Sequence, residues 1–104
     1  MPGNPLTNGL RPMHPGELLR EEVLPALGRP KAEIARLLGV SRQTLYEILN
    51  ERQPVTAPMA LRIGKLCGNG GQFWFALQQA YDMRMAEAEM GDELERIPTL
   101  EAAA

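Results

Sequence analysis

Cysteine, histidine and aromatic side chains are all scarce in this chain: one Cys, one His, one Trp, two Tyr and two Phe in 104 residues. A lone Cys67 excludes an intramolecular disulfide, and with a single histidine there is no Cys/His set for zinc. His14 has no serine or cysteine in a motif beside it, and no nucleophile–base or paired-carboxylate set occurs elsewhere, so an enzyme is not expected and no cofactor or metal is called for. No apolar run approaches the ~20 residues of a membrane span. No basic segment followed by an apolar stretch opens the chain, so a cytoplasmic protein with no membrane partner is expected. The length allows one domain with one modest core, and no separate ligand-binding domain.

What the chain does have is a well-patterned stretch from Lys31 to Asn50, KAEIARLLGVSRQTLYEILN. Its first part, Lys31 to Leu38, places Ile34, Ala35 and Leu38 on one helical face. Gly39 ends that helix, because the residue just past a helix end often needs a positive φ. Val40 follows as a wedge in the corner, and Ser41 is placed to cap a second helix through its hydroxyl. That helix turns Leu45, Ile48 and Leu49 inward and leaves Arg42, Gln43, Thr44, Tyr46 and Glu47 facing out. Ala35 stands where the two helices approach most closely. The combination predicts a helix-turn-helix with Ser41–Asn50 as its recognition helix, the element that enters the DNA major groove. Arg42 and Gln43 open that helix where side chains reach base edges, and Glu47, one turn on, suits a cytosine amino group. The candidate DNA-binding residues are Lys31, Ser41, Arg42, Gln43, Thr44, Tyr46, Glu47, Asn50 and Arg52. Lys31 and Arg52 are expected on phosphates, which carry no sequence information.

The formal net charge of −2 argues against a nucleic-acid partner only until its distribution is read. Residues 29–65 hold seven basic and three acidic side chains, a local +4, while the remainder carries −6. A local basic face drives phosphate binding despite an acidic whole. The acidic remainder suits either a second, basic partner or a solubilising surface.

The flanking segments predict three more helices, giving an all-α, five-helix fold. Residues 1–12, rich in Pro, Gly and Asn, are expected to be flexible. His14-Pro15-Gly16-Glu17 opens the first helix, with His14 as a cap and Pro15 in the first turn. Leu19, Val23 and Leu27 form its expected inward stripe, flanked by Leu18 and Leu24. Pro25 should fray or kink the last turn before Gly28 ends it. Thr56 caps a fourth helix that draws its inward face from Met59, Leu61, Ile63, Leu66 and Cys67. Gly68-Asn69-Gly70-Gly71 ends it. A fifth helix, about Gln72 to Met90, carries the stripe Phe73, Trp74, Leu77, Ala80 and Tyr81. Phe75 falls off that stripe toward Met83, Met85 and Met90, and this second apolar face predicts a dimer surface through Phe75, Met83 and Met90. Residues 13–92 thus form the DNA-binding and dimerisation domain, and residues 93–104 an acidic, frayed tail in which Ile97 and Leu100 have a chance to dock.

The chain resembles the HigA-type antitoxins of the Xre/Cro-like (lambda-repressor-like) helix-turn-helix class. The residues carrying the resemblance are His14-Pro15-Gly16-Glu17 with Leu18-Leu19-Arg20-Glu21-Glu22, then Ala35 and Gly39-Val40-Ser41-Arg42. Further on they are Glu47-Ile48-Leu49-Asn50, Thr56, Ala60-Leu61-Arg62, and Phe73-Trp74 with Leu77-Gln78 and Ala80-Tyr81-Asp82. Lys31 stands where that family usually has a phosphate-touching glutamine, and Glu51-Arg52-Gln53-Pro54 replaces its usual Asn-Gly-(Lys/Arg) loop. The resemblance implies a non-enzymatic homodimeric repressor that binds double-stranded operator DNA of its own operon, placing it on the nucleoid when bound. It also implies neutralisation of a RelE-like (HigB-type) ribonuclease toxin. Such a toxin presents basic residues to RNA, which points to the acidic side of the first helix, Arg20, Glu21 and Glu22 with Glu17, as the contact. A stand-alone Xre-type regulator without a toxin, and a helical adaptor that no longer binds DNA, are the other readings.

Overall fold

Proline and glycine decide where this chain turns, and hydrophobic spacing decides which way each helix faces. The computed structural model describes residues 13–102, and among them there are five helices and no strand. The flexible segment expected over residues 1–12 lies outside the described residues.

Helix α1 is a composite rod: Pro15–Leu18, a π-helical turn Leu19–Val23, then Leu24–Leu27. His14 caps it, its Nδ1 accepting from the Gly16 N–H at 2.9 Å. The π turn has an identifiable cause. Pro25 has no N–H to donate, and its ring would press on the carbonyl four residues back, so one extra residue is accommodated just before it. The Leu24 N–H accordingly donates to the Leu19 carbonyl, five residues earlier. This corrects the expected stripe: Leu24 rather than Val23 follows Leu19 into the core, Val23 is half-buried, and Leu27 ends 39 % exposed.

Helices α2 (Lys31–Leu38) and α3 (Arg42–Leu49) form the predicted pair. Ile34, Ala35 and Leu38 are buried on α2, and Leu45, Ile48 and Leu49 on α3. Helix α4 (Ala57–Cys67) starts at Thr56, whose hydroxyl accepts from the Met59 N–H. It buries Met59, Ala60, Ile63 and Gly64, with Leu66 and Cys67 half-buried. Leu61, expected among the inward candidates, instead faces solvent.

Helix α5 (Gly71–Glu95) runs five residues past its expected end. Its buried residues are Trp74 and Gln78. The indole N–H of Trp74 donates to the Asn69 side-chain oxygen, while the ring of Phe73 packs edge-on against it. Gln78 is a buried polar group with both ends used: Oε1 accepts from the Val55 N–H at 2.8 Å and Nε2 donates to Asp82 at 2.9 Å. The expected broad stripe is therefore narrower. Phe73 and Ala80 are exposed, Leu77 and Tyr81 half-buried, and Phe75 packs partly against the core instead of standing off it. Ile97 and Leu100 do not dock; both are exposed.

Two glycines are set by close packing. A Cβ on Gly16 would lie 1.9 Å from the Ile48 carbonyl oxygen, so α1 rests directly on the backbone of α3 there. A Cβ on Gly64 would meet the backbone of Gly70 at 2.1 Å, where α4 turns into α5. We expect Gly16→Ala to lower the unfolding free energy by about 1–3 kcal/mol, the usual cost of overpacking. Gly91→Ala, in open space on α5, should raise it by up to about 1 kcal/mol through helix propensity. Urea midpoints measure both, and an unchanged midpoint for Gly16→Ala contradicts the packing described.

His14 gives a pH signature. Burial holds its imidazole below the ordinary histidine range, and the Glu51 and Asp82 carboxylates offset this only in part. Its Nδ1 already accepts a hydrogen bond, so the neutral ring carries its proton on Nε2. The unfolded chain takes up a proton first as pH falls, so this contribution to stability is complete above about 6.5 and declines below it, toward the lower folded value. His14→Asn, which keeps a capping acceptor, should flatten the stability profile just below that pH; an identical slope in both proteins refutes the assignment.

Candidate nucleic-acid interface

The reading element is built by a short turn and two capped helix ends. Gly39 takes φ 75°, and the Val40 N–H closes back onto the Ala35 carbonyl at 3.0 Å. This closure satisfies carbonyls that the end of α2 would leave orphaned. Val40 is half-buried in the corner. Ser41 then caps α3, its Oγ accepting from the Thr44 N–H at 3.0 Å and donating to the Thr44 hydroxyl at 2.9 Å. Both hydroxyls are thus engaged with one another at the start of the helix.

On α3 the exposed residues are Arg42, Gln43 and Tyr46, followed by Asn50 just beyond its end, while Thr44 and Glu47 are half-buried. At 100° per residue, Arg42, Tyr46, Asn50 and Gln43 fall within one ~100° sector, and the buried Ile48, Leu45 and Leu49 fill the adjoining one. Lys31, at the start of α2, lies with its ammonium 5.9 Å from the centroid of the Tyr46 ring. That cation–π approach joins the N-terminus of α2 to the outer face of α3. Arg52, in the loop that follows, is exposed.

The ends of both helices are held by arginines from outside the motif. Arg20 of α1 donates to the Leu49 carbonyl at 2.6 Å and to the Glu51 carboxylate at 3.3 Å, with its Nε on Glu21. These carboxylate partners push its pKa further up. Arg62 of α4 donates to the Leu38 carbonyl at 2.8 Å. Cations at helix C-termini complement both the free carbonyls and the negative end of the dipole. Glu51 adopts φ 62°, the left-handed position that closes α3 through Glu51 N–H to Ile48 and Arg52 N–H to Glu47. Glycine is the usual occupant of such a position. Of the seven basic residues counted over 29–65, Arg62 is therefore committed to Leu38, and Arg29 is paired with Glu33 one turn on.

The other expected sites separate. Phe75 lines a shallow groove with Ala57, Ala60, Leu61, Gly71 and Gln72 between α4 and α5. Met83 and Met90 stand farther along α5, on a part of the helix exposed throughout. Eight and fifteen residues beyond Phe75 correspond to about 12 and 22 Å of helix. Arg20 is a half-buried clamp, whereas Glu21 and Glu22 are exposed. Residue patterning missed the clamps at Arg20 and Arg62, the buried Gln78 and the contact at Gly16. Each is a long-range contact that local periodicity does not encode, although Gln78 and the His-Pro-Gly-Glu opening belong to the motifs quoted for the resemblance.

Comparison with known proteins adds to this geometry. The Helix-turn-helix family matches residues 19–72. Virulence-associated protein I of Dichelobacter nodosus is 40 % identical over 82 residues, covering 79 % of this chain and 76 % of that protein. The structure of antitoxin GraA in complex with its operator superposes with a TM-score of 0.82 at 45 % identity, over 92 % of this chain and 98 % of that one. The Pseudomonas aeruginosa antitoxin HigA, solved with the higBA promoter, gives a TM-score of 0.82 at 38 % identity, over 88 % of this chain and all of that one. The two solved neighbours are antitoxins, and the family is a non-enzymatic one. The chain belongs to the Xre-like helix-turn-helix family, among its HigA-type antitoxins.

Proposed function

We propose that this protein is the antitoxin of a type II toxin–antitoxin module, which represses its own operon by binding operator DNA and neutralises a RelE-like ribonuclease toxin. The observation that carries the DNA half is the outward sector of α3, Arg42, Gln43, Tyr46 and Asn50, with Lys31 held over Tyr46. Relatives of matching fold solved on operator or promoter DNA support it. In this reading Arg42 and Gln43 contact base edges, Glu47 accepts from a cytosine amino group, and Ser41 and Thr44 hold the helix start against the backbone. Lys31 and Arg52 neutralise phosphates. One short recognition helix reads few base pairs, so two copies engage an inverted repeat with half-sites about 34–36 Å apart. The groove around Phe75 and the exposed Leu61 is the two-fold contact this reading favours, with Met83 about 12 Å and Met90 about 22 Å farther along α5.

The test is operator affinity across salt concentrations. Arg42→Ala should cost about 1–3 kcal/mol on the cognate site and relax the preference at one base pair. Lys31→Ala and Arg52→Ala should weaken cognate and random duplexes alike and reduce the salt slope by roughly one each. Full operator affinity in Arg42→Ala would remove α3 from the reading role.

A further inference from the structure

Beyond Tyr81 the last helix leaves the core, and residues 82–95 are exposed without exception. Fourteen residues make about 21 Å of helix. Met83, Met90 and Leu94, spaced seven and four apart, fall within about 40° of one another on that helix, and all three are exposed. Flexible methionines of this kind suit a surface that adapts to a partner. The same segment holds six acidic residues, Asp82, Glu87, Glu89, Asp92, Glu93 and Glu95, against Arg84 alone, a net charge of −5.

Two features make this arm marginal by itself. Glu89 and Glu93 stand four apart, where like charges repel, and Gly91 weakens the helix between them. A covering surface of opposite charge relieves the first and buries the apolar stripe. Charge also selects the occupant. A second copy would set −5 against −5, and nucleic acid and anionic lipid are repelled in the same way. A basic protein surface with an apolar seam fits both the stripe and its acidic border.

We propose that residues 82–95 form a docking helix for a basic protein, Met83, Met90 and Leu94 packing against it while Glu87 and Glu93 meet its cations. This inference rests on the antitoxin reading, which makes the toxin that basic protein, and it assigns the contact to α5 rather than to the acidic side of α1.

The experiment uses the full-length protein co-expressed with the product of the neighbouring reading frame, followed by co-elution and titration. The wild type and the α1 variant Glu22→Lys, which leaves the Glu21 contact of Arg20 in place, should capture that product. Glu87→Lys/Glu93→Lys and Met90→Ser/Leu94→Ser should each bind at least about tenfold more weakly, the charge reversal chiefly through slower association. Circular dichroism and operator affinity should match the wild type, and Glu87→Gln/Glu93→Gln serves in place of a reversal that disturbs the helix. Unchanged capture by both arm variants, with loss in the α1 variant, overturns the inference and leaves the antitoxin reading standing. Conversion of a wild-type dimer to monomer by Met90→Ser/Leu94→Ser also overturns it, because a second copy then covers the stripe. Failure of the wild type to capture a basic partner overturns the antitoxin reading and this inference with it.

Discussion

The contact on which the rest of the structure depends is the guanidinium of Arg20 closing on the Leu49 carbonyl at the end of α3. Helices of eight residues, as α2 and α3 both are, lack the length to persist in water unaided. Their positions are fixed by what grips them. Burial of Ile34, Ala35, Leu38, Leu45, Ile48 and Leu49 fixes their inner faces. Arg20 and Arg62 fix their C-terminal ends, each reaching in from a helix outside the motif. Gly16 lets α1 sit on the backbone at Ile48, which brings Arg20, one turn along, within reach of Leu49.

Glu51 shows what that arrangement costs. A non-glycine residue in the left-handed region loses roughly 1–2 kcal/mol relative to the right-handed form. Glycine at φ 62° would remove the strain but also the carboxylate that Arg20 meets beside the Leu49 carbonyl. The loop thus exchanges local comfort for a side chain that ties the end of α3 to α1. A half-buried pair still open to solvent contributes little on its own; here the contact matters for position, because it is joined to a hydrogen bond on the helix terminus.

The helix-turn-helix was legible because its signals are local. The apolar spacing, Gly39 at the turn and Ser41 as cap each act within a few residues, and the structure has all three. The His14 cap and the Thr56 cap were legible for the same reason. The inward face of α1 was not, because α-helical periodicity fails across a π turn, and Leu27 lands outside as a result. The face of α5 departs from its hydrophobic pattern for a different reason. Gln78, buried and doubly hydrogen-bonded, occupies a place that hydrophobicity gives to an apolar neighbour. Of the candidate DNA residues, Lys31 and Tyr46 come together across the two helices, a pairing separated by fifteen positions in sequence. Residue pattern alone puts Arg20 on an outward acidic surface, whereas the structure sets it inward against α3, since a partner 29 residues away leaves no trace in spacing.

Short helices become a rigid reading head because two arginines and a glycine contact hold them, and the held head presents one polar sector with Lys31 beside it. The most direct measurement is an amide chemical-shift titration of the full-length protein with a duplex from its own promoter. The largest changes are expected at Lys31, along Ser41 to Asn50, and at Arg52, with residues 82–95 unmoved. Large changes confined to α5, with α3 silent, would contradict this.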